Sequence, residues 1–169
     1  AADLLEAQVD NFDKATSKML RESLQKQINE DLPPACLAQI LTVLATVDAN
    51  GSKALFLKFT DAEVAPPVRI AAFGALQGTK LTTKQVKDMM ASLEDKAQKQ
   101  VQSVIRDVLV HLPELPEGMG PSLKRLLSSR QPEQRLFAAR MLRTAGGTEL
   151  AKVFCKMLQH DDERFRLAA

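Results

Sequence analysis

Val68-Arg69-Ile70-Ala71-Ala72-Phe73-Gly74-Ala75-Leu76 and Gln134-Arg135-Leu136-Phe137-Ala138-Ala139-Arg140-Met141-Leu142 are two copies of one pattern. Each has Arg at its second position, a small residue three further on and Leu seven further on. The copies lie 66 residues apart, and halfway between them Val101, Val104, Ile105, Val108 and Leu109 repeat the apolar positions, with Gln102 in place of the Arg. One step back reaches Leu37, Ile40 and Leu44, and one step forward reaches Phe165-Arg166-Leu167-Ala168-Ala169. The period is 33, drifting to 32 and 31 at its ends. Self-similarity at this spacing marks stacked supersecondary units, each too small to bury its apolar face without a neighbour.

The units read as helices. Val101, Val104, Ile105, Val108 and Leu109 form an i, i+3, i+4, i+7, i+8 stripe, and Val86, Met89, Met90 and Leu93 form another. Period-two alternation is missing and the chain has no Trp or Tyr, so no strand is expected. Pro33-Pro34, Asn50-Gly51, Pro66-Pro67, Gly78, Pro132 and Gly146-Gly147 separate the stripes. Second helices are expected near 51–60, 82–95, 121–130 and 148–160, with Thr83 and Thr148 as N-caps and Pro121 at the first helical position. Residues 1–32 are helical but fit the period less well, as a terminal cap does.

Composition is that of a folded chain, 45% apolar and 26% charged over 169 residues, and a net charge of +2 argues for no particular partner. No apolar run is read as approaching the length of a membrane span, and no signal-peptide pattern opens the chain. Cys36 and Cys155 are read as buried free thiols in a reducing, intracellular setting, and with His111 and His160 they give no zinc spacing. The last residues look like the first turns of another helix, so the chain is expected to belong to a longer protein.

Pro67 to Leu76, Gln134 to Leu142 and Asp161-Asp162-Glu163-Arg164-Phe165-Arg166-Leu167-Ala168-Ala169 resemble the first helix of short HEAT-like repeats of the phycobilisome-lyase type. The resemblance covers residues 33–169 and implies an all-α fold, a right-handed α-α superhelix of about four helix pairs. Repeats would span 33–66, 67–98, 99–132 and 133–162, with a further one starting at 163–169. Gln102 and Leu37 depart from the pattern, and its Asp four residues before the Arg occurs only as Asp162. Residues 66–112 also resemble the end of the helical domain of large lipid transfer proteins, the vitellogenin and apolipoprotein B group, which is itself a superhelix of helix pairs.

No catalytic, cofactor or metal site is expected. His111 and His160 sit where helices end, and Asp161, Asp162 and Glu163 precede a helix, places that the helix dipole selects for cations and anions. No phosphate-binding glycine loop occurs. The charge distribution is more informative, because the second-helix windows 51–60, 82–93, 121–130 and 148–159 hold nine cations against two acids, or +7, leaving −5 for the rest. In solenoids of the HEAT kind these helices line the concave face. A basic groove of Lys84, Lys87, Lys124, Arg125, Lys152 and Lys156 is therefore expected, holding an acidic peptide or protein surface, although surface Lys also serves only to keep a face solvated. The resemblances imply two alternatives, a lipid-transfer module and a nucleic-acid-binding HEAT-like protein. The second is disfavoured because stacking platforms are scarce: aromatics are 4% and all Phe.

Overall fold

A computed structural model describes residues 13–29, 31–93, 99–129, 131–143, 155, 157–159, 161 and 163–168. The chain is all-α. Helices α1 (Lys14–Gln27), α2 (Pro34–Lys58), α3 (Pro66–Ala75), α4 (Thr83–Ser92), α5 (Lys99–Val110), α6 (Gly120–Leu127), α7 (Pro132–Arg143) and α8 (Glu163–Ala168) follow in order, with no strand among the described residues.

Proline marks several starts rather than merely separating helices. It stands in the first two positions of α2, α3 and α6, where no N–H is needed and φ is preset. Pro121 is the second residue of α6, after Gly120, rather than the first. The cap of α4 also lies one residue from its expected place. Thr82 N–H donates to Gln85 Oε1 (2.9 Å) and Gln85 N–H to Thr82 Oγ1 (3.3 Å), a reciprocal capping box that leaves the Thr83 hydroxyl to donate to the Glu117 carbonyl. Thr148 lies outside the described residues. At α1 the Thr16 N–H donates to the Asp13 carboxylate and holds its pKa below the ordinary value. This cap is therefore present above the usual carboxylate range and is lost as pH falls through the lowered value.

The chain divides into two compact units, residues 1–79 with 93–108 and residues 80–92 with 109–169. In the first, α1 and α3 pack on α2. Leu41, Leu44, Val47 and Phe56 of α2 and Val68, Ala72 and Phe73 of α3 are buried, as are Val101, Ile105 and Val108 of the α5 stripe. In the second, α6 and α8 pack on α7, where Leu136 to Ala139, Met141 and Leu142 are buried.

Two features of α2 correct the sequence reading. The Asn50-Gly51 break lies two residues earlier, at Asp48, whose non-helical backbone (φ −160°, ψ 78°) joins two helical stretches. Asp48 Oδ1 accepts from the Gly51 N–H (2.8 Å), the bond of an N-cap to its third residue, so Asn50 and Gly51 belong to the first turn of the second stretch. Because hydrogen bonding carries across this kink, Pro34–Lys58 is long and apolar enough, by length and composition, to cross a membrane. This overturns the expectation that no apolar run approaches the length of a membrane span. The third correction concerns the thiols. Cys36 and Cys155 are free but exposed, because Cys36 lies off the stripe that buries Leu41 and Leu44.

Gly74 is exposed on α3, and a Cβ built there meets nothing within 4 Å. Gly74→Ala should therefore raise stability by about 0.5–1 kcal/mol, since the added methyl only restricts the unfolded chain and favours helix. Denaturant titration checks this: a lower midpoint would show that the close approach of another group requires the glycine.

Candidate interaction surface

The repeated arginine has one task. Arg69 Nε donates to the Thr60 carbonyl (3.4 Å), Arg135 Nη1 to the Ser129 carbonyl (2.9 Å) and Arg166 Nη1 to the Asp161 carbonyl (2.8 Å). Gln102, which breaks the pattern by identity, keeps it by chemistry, since its Nε2 donates to the Leu93 carbonyl (3.5 Å). In the first three pairs in chain order, at 69, 102 and 135, the acceptor lies one or two residues beyond the end of the preceding helix, among the carbonyls that a helix leaves without partners. Arg69 is buried, with its guanidinium carbon 6.0 Å from the centre of the Phe73 ring. Arg69 is thereby built into the fold, whereas Gln102 and Arg135 are half-buried and Arg166 is exposed.

Equivalent positions one period apart also meet. Lys80 Nζ pairs with Glu114 (3.2 Å), Thr83 Oγ1 donates to the Glu117 carbonyl (3.0 Å) and Arg164 Nη1 pairs with Glu133 (2.8 Å). The two ion pairs are exposed and add little stability, about 0–1 kcal/mol each. The first two contacts join the start of α4 to the segment that leads into α6.

Lys84 and Lys87 of α4 and Lys124 and Arg125 of α6 are all exposed and belong to the unit of residues 80–92 with 109–169. On α4, Val86 and Met89 are buried, and at about 100° per residue both lysines fall on the opposite half of the helix. On α6, Leu123 is buried, Arg125 points away from it and Lys124 flanks it. Lys84 and Lys87 make no ion pair among the described residues, whereas Lys124 does have an interaction of its own. Lys124 and Arg125 also close the last turn of α6, where cations favour the helix dipole. Asp88 is an exposed acid on α4, and Glu114 is taken up by Lys80. Lys152 and Lys156 lie outside the described residues, as do His160 and Asp162. His111 is exposed in the turn after α5.

Sequence reasoning missed an open cleft of about 440 Å³ lined by Thr42, Ala45, Thr46, Ala71, Gly74, Ala75 and Gln77. Its signal was the run of small residues on α2 and α3. Both threonine hydroxyls donate to carbonyls of their own helix, Thr42 to Ala38 and Thr46 to Thr42, so the cleft offers shape but little polar recognition. Among the described residues no three His, Cys, Asp or Glu side chains converge as metal ligands would. Comparison with protein-family models, curated proteins and solved structures finds no match to this chain.

Proposed function

We propose that the chain is a HEAT-like α-α superhelix serving as a non-enzymatic scaffold, and that its second helices present a basic surface to an acidic peptide or protein segment. The carrying observation is the charge asymmetry, +7 on the second-helix windows against −5 elsewhere, with Lys84, Lys87, Lys124 and Arg125 exposed. The array itself is supported by the donor at positions 69, 102 and 135, whose acceptor lies just beyond the end of the preceding helix in each case, and by the contacts between equivalent positions. A surface fixed on short packed helices orders few groups on binding, which favours recognition by fixed charge.

The test is reversal of charge. Lys84→Glu, Lys87→Glu and Arg125→Glu together should weaken binding of an acidic peptide by about tenfold or more at low salt, and the difference should shrink as salt screens the surface. Arg106→Glu with Arg140→Glu, both exposed on first helices, should change affinity by no more than about threefold. Fluorescence anisotropy against an acidic peptide library at low and high salt reads both. Equal loss from the two sets, or no salt-sensitive binding, would leave the lysines as a solvated surface.

A further inference from the structure

The α6 end carries two adjacent serines in different circumstances. Ser129 is half-buried, its Oγ lies 2.5 Å from Gln134 Oε1, and the Gln131 N–H donates to it (3.2 Å). Ser128 is exposed at the C-cap, with its N–H donating to the Arg125 carbonyl (3.1 Å) and no hydrogen bond from its hydroxyl among the described residues. Arg125 and Lys124 stand three and four residues before it, both exposed. Those spacings put the two cations beside Ser128 on the helix surface. The same arrangement, Arg three residues before an accessible serine hydroxyl, is the charge pattern read by basophilic serine/threonine kinases.

We infer that Ser128 is a phosphoryl-acceptor site and that its phosphorylation turns off the basic surface on α6. The inference rests on the proposed reading of that surface. In the transfer, the γ-phosphorus–oxygen bond of a nucleoside triphosphate breaks and a bond from phosphorus to Ser128 Oγ forms. The diphosphate leaves, and the hydroxyl proton passes to the kinase's base and then to water. The product brings a charge of about −1.5 to −2 and three acceptor oxygens within reach of Lys124 and Arg125, two of the four described cations of the surface. Those two charges are then spent within the chain instead of on an acidic partner. Ser129 does not compete, because its hydroxyl is held in the turn into α7.

The folded protein, incubated with a basophilic kinase and ATP and mapped by mass spectrometry, should take one phosphate, on Ser128. Ser128→Ala should lower incorporation by about tenfold, and Ser129→Ala should leave it within about twofold, because only the first removes the accessible acceptor. Phosphate on Ser129, or incorporation only after unfolding, overturns the assignment. The phosphorylated protein should bind an acidic peptide about tenfold more weakly at low salt than the unmodified one, with the gap closing at high salt. Unmodified protein that binds the peptide and phosphorylated protein that binds it equally well would overturn the switch and leave the surface standing. If neither form binds in a salt-sensitive way, the surface reading fails and the switch with it, while the mapping still decides the acceptor.

Discussion

Ala72→Asp and Ala138→Asp should each abolish cooperative unfolding of the wild-type kind. Both alanines are fully buried, one on α3 and the other on α7, at the same position of the repeated pattern. A carboxylate there has to ionise without a partner or stay protonated at neutral pH, and it also needs volume that a close-packed helix face lacks. The combined cost is expected to exceed about 4 kcal/mol, against a total stability of about 5–15 kcal/mol for a domain. Ala72→Ser, which adds one hydroxyl able to donate to its own helix, should cost far less. Urea titration followed by circular dichroism separates the outcomes. Wild-type midpoints for both aspartate variants would mean that the pattern has been placed on the wrong face of its helices.

How far the sequence reached can be judged from particular residues. Ala72 and Ala138 were identifiable because a small residue recurring at one point of a 3.6-residue period marks where a helix meets a neighbour, and both are buried. Gln102 looked like a defect because the comparison was by residue type. A carboxamide N–H donates to a carbonyl as a guanidinium does, so the role survives the change. Asn50-Gly51 was misplaced because the pair is a strong turn signal on its own, whereas the competing signal, a carboxylate two residues earlier that can cap an N–H, is equally local but depends on φ and ψ. Average burial of cysteine misleads at Cys36, where the phase of the helix decides the matter. For the surface, the sign of the charge was visible in the sequence but its pairing was not. Lys80 is neutralised by Glu114, 34 positions away, and only folding reveals such a contact.

The same substitution should have opposite signs at two glycines. Where Gly74→Ala is expected to stabilise, Gly51→Ala is expected to cost about 1–2 kcal/mol, although both positions are helical and alanine is the better helix former. The difference lies in what covers Gly51. Arg21 of α1 pairs with Asp48 Oδ2 directly over the glycine, and a Cβ there would collide with the Arg21 guanidinium and the Asp48 carboxylate. That carboxylate does two jobs, capping the second stretch of α2 through Gly51 N–H and joining α1 to α2 through Arg21, with both side chains less than a third exposed. Asp48→Ala removes both and should cost about 2–3 kcal/mol, the sum of a lost cap and a lost charged hydrogen bond. With Asp48 gone, Arg21 is free to swing away and nothing short or fixed stands over residue 51. Gly51→Ala in the Asp48→Ala background should then be neutral or stabilising, a coupling of at least about 1 kcal/mol in a double-mutant cycle. Additive effects of the two substitutions would show that Gly51 is present for a reason other than the ion pair above it.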